Sequence, residues 1–191
     1  MFKFFSSKKG FTLVEMLVVL GIVAITLPAV FTILFTIIRE QARVYALKQI
    51  KREGDFVLNK ISNQIRNYAT GIYEDITLNN EVCDKAGAGQ NPYVDNGNSF
   101  YFKDRNGEWF QYYLSNTNIA SGSSTTVPVN LTSNKVDVSN FSISCNRAGD
   151  PAGSYAPPTI ILSFNIGYHH AQFQEELATL NFQTQIAMKN Y

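Results

Sequence analysis

Residues 8–15 read Lys-Lys-Gly-Phe-Thr-Leu-Val-Glu, and residues 16–38 after them contain no ionisable side chain. A helix of about 20 apolar residues, rising roughly 1.5 Å per residue, crosses the hydrocarbon core of a bilayer. The sequence therefore predicts a membrane-spanning helix near the N-terminus. Glu15 lies at its start, where a carboxylate is unfavourable unless it is neutralised or paired.

The apolar run contains no cation that could pair with the Glu15 carboxylate. Cleavage after Gly10 would create an amino group on Phe11, about one helical turn from the carboxylate. That amine can pair with Glu15 of the same copy, or with Glu15 of a neighbouring copy in a helical stack. In the second case the buried charge becomes an assembly signal.

Residues 8–15 and the uncharged span after them resemble the cleavage and methylation signature of type IV prepilins and of the pseudopilins of type II secretion and competence systems. The resemblance implies a basic leader, residues 1–10, that a prepilin peptidase removes on the cytoplasmic side. It also implies N-methylation of Phe11 by the same peptidase/methyltransferase. Glu15 takes the acidic position credited with methylation and with registration of the subunit in the filament.

The basic residues of the leader predict the orientation of the chain. Lys3, Lys8 and Lys9 precede the span, so the positive-inside rule keeps the N-terminus in the cytoplasm and sends the remainder outward. We expect a single-pass inner-membrane protein with an extracytoplasmic C-terminal domain, which then enters a filament or pseudopilus. The alternative is an uncleaved signal anchor with Glu15 at the headgroup boundary.

After the span, the spacing of apolar residues predicts an amphipathic helix over 39–70, continuous with the membrane half over 11–38. Pro28 removes one backbone hydrogen bond and favours a kink or a locally melted turn. Gly71 is suited to a left-handed conformation that closes the helix. The predicted apolar stripe comprises Val44, Leu47, Ile50, Gly54, Leu58, Ile61, Ile65 and Tyr68.

Residues 71–191 predict a β-rich extracytoplasmic domain. Residues 99–103 and 108–114 flank an Asp-Arg-Asn-Gly turn and indicate a hairpin. Residues 72–92 have loop composition, and the Ser/Thr/Asn-rich residues 116–129 predict a mobile connection. Further strands are predicted over 136–145, 159–168 and 176–188. At most five strands would form a largely antiparallel sheet covered by the long helix, an α+β arrangement that matches the pilin fold.

A looser resemblance concerns the helix segment 55–66 and the ending over 182–190. Both are similar to J-type pseudopilins and related minor pilins, in which a final strand is followed by a basic residue and asparagine. This resemblance favours a tip or initiation subunit over a filament-shaft subunit. The partners implied are other pilin or pseudopilin subunits, the inner-membrane assembly platform and membrane lipid.

Cys83 and Cys145 are the two cysteines, and the predicted orientation places both outside the cytoplasm, where a disulfide is chemically permitted. We therefore predict a disulfide between them. Two thiols at this spacing do not form a metal site. The residues His169, His170, Glu175 and Glu176 contain zinc-ligand types, but a solvated turn is the preferred interpretation. Residues 95–98 lack the spaced acidic ligands of a calcium loop, so a plain turn is preferred there too.

Composition limits the function classes. The chain of 191 residues has room for one anchor and one globular domain, and 16 basic against 15 acidic residues give no field that favours nucleic acid. No paired nucleophile and base or phosphate-binding loop is present in the sequence, so we predict a structural subunit without cofactor. The alternative is a non-polymerising, membrane-anchored binding domain that uses the outward aromatic side chains of the hairpin.

Overall fold

The computed structural model describes residues 10–79, 81–83, 93–95, 100–146, 157–169 and 178–189, with backbone alone for 93–95 and 146. Within these described ranges, one helix, α1 (Leu13–Tyr68), is followed by nine strands. The chain divides into two compact units between Ala42 and Arg43. The strands are β1 (Gly71–Tyr73), β2 (Tyr93–Asp95), β3 (Tyr101–Lys103), β4 (Trp109–Ser115), β5 (Asn118–Ser123), β6 (Val129–Asn130), β7 (Val136–Asn146), β8 (Thr159–Tyr168) and β9 (Thr179–Ala187).

The C-terminal half of α1 is amphipathic, as predicted, but its buried face is rotated relative to the predicted stripe. Val44 and Tyr68 are exposed, although the sequence placed them on the apolar side. Ala46, Gln49 and Val57 are buried instead. The spacing of apolar residues gives the period of the helix, but the choice between adjacent faces depends on which residues the sheets contact.

The end of α1 differs from the predicted helix closure. Gly71 does not have a positive φ and is instead the first residue of β1. The helix ends at Tyr68, and the N–H of Thr70 donates to the carbonyl of Lys103 at 2.8 Å. A bond to the neighbouring strand therefore replaces a left-handed helix cap.

In the part of the chain that the structure describes, the strands form two antiparallel sheets, where the sequence predicted a single sheet of at most five strands. The first has the order β1-β3-β4-β5-β6, and the second has the order β2-β7-β8-β9. The β3–β4 hairpin is confirmed, with Gly107 at a φ of 86° and Asp104 Oδ1 accepting from the N–H groups of Asn106 and Glu108. The α+β class, with a long N-terminal helix packed on antiparallel β-structure, is confirmed.

The prediction of a mobile connection over 116–129 was wrong, because this segment contains β5. Asn116 adopts a φ of 55°, which turns the chain back so that β5 pairs with β4 along its whole length. Ile119 and Ala120, neighbours in β5, are both buried. The Ser, Asn and Gly residues gave β5 a loop-like composition, and its strand structure depends on pairing with a distant neighbour. Likewise, β1 occupies the start of the segment predicted as loop over 72–92.

The predicted C-terminal strands are confirmed with small changes of boundary. β7 and β8 pair antiparallel with a register shift between Ser139 and Ser142, and β8 and β9 pair without a shift. A continuous core joins α1 to both sheets. It includes Ile50, Ile61 and Ile65 of α1, Phe102, Phe110 and Tyr112 of the first sheet, and Ile160, Leu162 and Phe164 of the second.

Hydrogen bonds also join α1 to the segment between β6 and β7. The Glu53 carboxylate accepts from the backbone N–H of Ser133 at 3.0 Å and from its hydroxyl at 2.7 Å. Gln49, largely buried, donates to the same carboxylate at 2.8 Å. The buried amide is therefore satisfied, as a polar group in a core must be.

Candidate functional site at the helix N-terminus

Thr12 and Glu15 form a capping box at the first turn of α1. The N–H and the hydroxyl of Thr12 donate to Glu15 Oε2 at 2.9 and 3.0 Å. In return, the N–H of Glu15 donates to Thr12 Oγ1 at 3.3 Å. The Thr-x-x-Glu spacing is the sequence signature of this arrangement. Thr12 is therefore a site residue that the sequence analysis did not single out, although the four residues contain the signal.

This geometry explains how a carboxylate is tolerated at the start of an apolar helix. Free N–H groups and the positive end of the helix dipole both favour an anion at an N-terminus. Both hydrogen bonds from Thr12 fall on one carboxylate oxygen of Glu15. The chain thus provides Glu15 with partners from its own first turn, before any neighbouring copy is present.

The Gly10–Phe11 peptide bond precedes this cap and is sterically open. Both residues are exposed, and Phe11 has 78% of its surface accessible. A Cβ built on Gly10 would have no atom within 4 Å. Both residues also lie outside α1, so the backbone here is not tied into helical hydrogen bonds. A protease therefore meets no steric obstacle from the described residues at this bond. The predicted leader, except Gly10, lies outside the described residues.

The N-terminal part of α1 is long and apolar enough to span a membrane, and none of its most apolar stretch is buried among the described residues. Its hydroxyl groups are satisfied within the helix. Thr32 donates to the carbonyl of Pro28 at 2.9 Å, and Thr36 donates to the carbonyl of Thr32 at 2.9 Å. Internal satisfaction of polar groups is what a lipid environment requires.

Pro28 lies inside α1, and the helix continues through it. The locally melted turn that the sequence favoured is absent from this structure. A single proline removes one helical hydrogen bond, and the bonds on either side are sufficient to maintain the helix. The kink at Pro28 stays a prediction.

Cys83 and Cys145 are joined by a disulfide, with their Cα atoms 6.2 Å apart. Cys145 is buried in β7 and Cys83 follows the short bridge between Tyr73 and Glu81. The bond therefore connects the border of the first sheet to a strand of the second.

The remaining candidate sites are not assembled into a centre by the described residues. His169 Nδ1 lies 2.6 Å from Asp137 Oδ2, while His170, Glu175 and Glu176 lie outside the described residues. Of residues 95–98, Asp95 belongs to β2 and the others lie outside the described part.

The aromatic side chains of the hairpin divide between the two faces of the sheet, as the alternation predicts. Phe102, Phe110 and Tyr112 are buried. On the other face the rings of Tyr101 and Trp109 meet edge to face, with centroids 5.4 Å apart. These outward rings are half-buried because they cover one another, and the surface they offer to a ligand is therefore small.

Comparison with known proteins supports the N-terminal site. The family model for the prokaryotic N-terminal methylation motif matches residues 5–27, which include Gly10, Phe11, Thr12 and Glu15. No curated protein and no solved structure matches the chain.

Proposed function

We propose that this chain, whose residues 5–27 carry the methylation signal of type IV pilins and pseudopilins, is a structural subunit that is cleaved and then assembled through α1. A prepilin peptidase cuts between Gly10 and Phe11 and methylates the new amine of Phe11. The observation that carries the proposal is that residues 5–27 match the methylation motif. In the structure, the same segment holds Glu15 at the first turn of an exposed apolar helix.

The Thr12–Glu15 cap gives this subunit two states for its carboxylate. In the separate subunit, Glu15 accepts from Thr12 of the same chain. In the assembled subunit, the Phe11 amine of a neighbour supplies a positive partner, so that donor and acceptor are both charged and the bond is stronger in an apolar surrounding. The exchange of the uncharged Thr12 donors for a positively charged amine therefore favours the assembled state.

The organisation of the chain follows from this role. Residues 1–10 are the leader, residues 11–38 anchor the subunit in the inner membrane, and residues 39–70 carry the amphipathic half of the helix. Residues 71–191 form the extracytoplasmic domain. The partners are the prepilin peptidase, the inner-membrane assembly platform, membrane lipid and other pilin or pseudopilin subunits.

Within this group we assign the chain to the minor subunits, at the tip or in initiation of a type IV pilus, competence pilus or type II secretion pseudopilus. The support is the similarity of segments 55–66 and 182–190 to J-type pseudopilins. In the structure, 55–66 lies in the part of α1 that packs on the sheets, and 182–187 lies in β9. The nearly balanced charge gives no support for nucleic acid as a partner.

The experiment that tests the proposal is the intact mass of the chain isolated from its native membrane. We expect a chain that begins at Phe11 and is heavier by one methyl group than the unmodified sequence 11–191. A chain that still carries residues 1–10 in a cell with an active prepilin peptidase would contradict the proposal and favour the anchored binding domain.

Glu15→Ala separates anchoring from assembly. We expect the variant to insert in the membrane and to be absent from filaments isolated from the cell surface, because the charged contact between copies is lost. Thr26→Ala is the matched control, since its hydroxyl bonds to its own helix at Val23. Normal incorporation of Glu15→Ala into filaments would contradict the registration role.

A further inference from the structure

β9 is an edge strand of the second sheet and differs from the other edges. It is nine residues long and pairs with β8 through nine consecutive residue pairs, without a bulge. The other three edges among the described residues are β1 and β2, with three residues each, and β6, with two. A strand edge of two or three residues offers few backbone groups to another chain, whereas β9 offers a full-length template.

The sequence of β9 contains none of the devices that prevent pairing at an edge. Proteins protect long edges with charged side chains, proline or bulges. Residues 179–187 read Thr-Leu-Asn-Phe-Gln-Thr-Gln-Ile-Ala and include no charge, no proline and no glycine. In the part of the chain that the structure describes, no strand pairs with the second side of β9.

The residues of β9 alternate strictly between its two faces. Asn181, Gln183 and Gln185 are exposed, while Phe182 and Ile186 are buried. The exposed face continues across β8 in uncharged residues. Asn181 is opposite Asn165, to which its amide donates at 2.7 Å, and Gln183 is opposite Ser163.

The exposed face of β9 is also symmetric about Gln183. If a second β9 lies antiparallel with Gln183 opposite Gln183, then Asn181 faces Gln185 and amide meets amide on the exposed face. On the inner face Leu180 faces Ile186, and Phe182 faces Thr184. Directly opposite side chains in an antiparallel pair lie about 4.5–5.5 Å apart at Cβ, close enough for contact on both faces. Since no charged residue occurs in the strand, no like charges oppose one another.

We propose that β9 is a docking edge for a second copy of this chain. The two copies pair antiparallel about Gln183 and join two four-stranded sheets into one of eight strands. A register shifted by one residue would place Phe182 and Ile186 on the polar face of the partner, so the alternation excludes shifts by an odd number of residues. Pairing about Gln183, the middle residue of β9, gives the full overlap of the two strands.

This inference goes beyond the filament role and does not depend on it. The β9 pair is two-fold and closed, whereas filament growth requires head-to-tail contacts that repeat along an axis. The pair therefore belongs to subunits in the membrane pool or to a paired minor component. A host without a pilus or secretion assembly system tests the pairing independently of filament formation.

Cysteine cross-linking of the full-length chain in such host membranes tests the register. We expect Gln183→Cys to give a covalent homodimer on mild oxidation or with a short bis-maleimide, because residue 183 faces itself. Asn181→Cys and Gln185→Cys should each give no dimer alone. The same two variants, co-expressed with different tags, should give a dimer that carries both tags. The unsubstituted chain, whose Cys83 and Cys145 are already bonded, is the background control.

The outcomes are distinct. Failure of Gln183→Cys to form a homodimer overturns the proposal, and so does equal cross-linking of Asn181→Cys alone, which would indicate random collisions. Cross-linking of Gln183→Cys to a different protein in the native cell, without a homodimer, also overturns it and identifies a heterologous strand as the occupant.

A side-chain variant then checks the contact itself. Gln183→Asp in both tagged chains places two carboxylates face to face, so the Asn181→Cys with Gln185→Cys dimer should disappear. Gln183→Asn, which keeps the amide, should retain it. Because residue 183 is exposed, both variants should preserve the fold, and the intact Cys83–Cys145 bond verifies this. An undiminished dimer with Gln183→Asp would contradict the proposed pairing.

Discussion

At the scale of single residues, Tyr112 connects the sheet to the helix through one buried hydroxyl. Its side chain is fully buried, and the hydroxyl donates to Gln64 Oε1 at 2.7 Å. Burial raises the pKa of Tyr112 above its ordinary value near 10, because the phenolate would lose its hydration. The folded chain thus holds this proton at a pH where the unfolded chain releases it. The contribution to stability is fully present below about pH 10 and is lost as pH rises above it. We expect Tyr112→Phe to lower the free energy of unfolding by about 1 kcal/mol at pH 8, where a hydrogen bond is lost. Between pH 9.5 and 11 the variant should lose less stability than the unsubstituted chain. Urea unfolding of the detergent-solubilised full chain, followed by the fluorescence of Trp109, measures both effects. Tyr113→Phe, on the half-exposed face, controls for the loss of one phenol group, and equal pH dependence of Tyr112→Phe and the unsubstituted chain would contradict this account.

At the scale of elements, α1 and β9 are in close contact where Gly54 faces Phe182. A Cβ built on Gly54 would overlap the ring of Phe182, so the glycine is required by close approach and not by backbone conformation. Gly54 of the predicted apolar stripe is therefore a site where a strand comes close to the helix. Helix propensity alone predicts that Gly54→Ala stabilises the chain by about 1 kcal/mol. We expect the opposite, a loss of about 1–3 kcal/mol, since an extra carbon in a filled core forces neighbours out of their rotamers. Urea unfolding of the Gly54→Ala variant measures whether the free energy of unfolding rises or falls. Asn59→Ala, at an exposed position of the same helix, is the matched control and should be neutral or slightly stabilising. Phe182→Leu should reduce the penalty of Gly54→Ala when the two are combined, and a stabilised Gly54→Ala variant would contradict the close approach.

At the scale of the whole molecule, the Cys83–Cys145 bond closes a sequence separation of 62 residues and ties the border of the first sheet to the second. In the chain-entropy account, a loop of this length stabilises the folded state by about 4 kcal/mol, because it restricts the unfolded chain. We expect the double variant Cys83→Ala with Cys145→Ala to unfold at a lower urea concentration than the oxidised chain, by an amount close to that seen when the unsubstituted chain is reduced. Asn116→Ala changes the positive-φ turn between β4 and β5. Its effect on unfolding shows what the loss of a local backbone preference costs, for comparison with the loss of the long-range disulfide. Unchanged unfolding of the double variant would show that the bond contributes nothing to stability.

The sequence by itself determined the features that depend on near neighbours in the chain. The apolar span, the helical period of α1 and the Asp104-to-Gly107 hairpin all follow from contacts within a few residues. The Thr12–Glu15 cap has the same origin, and its spacing was visible in the sequence although only Glu15 was singled out. Tertiary structure decided which face of α1 is buried and how the strands divide between two sheets. It also decided that residues 118–123, despite a loop-like composition, form β5. These outcomes require partners distant in sequence, and local composition does not specify a partner. The physical reason is that a helix or a tight turn satisfies its hydrogen bonds internally, whereas a strand obtains its bonds and its buried area from other parts of the chain.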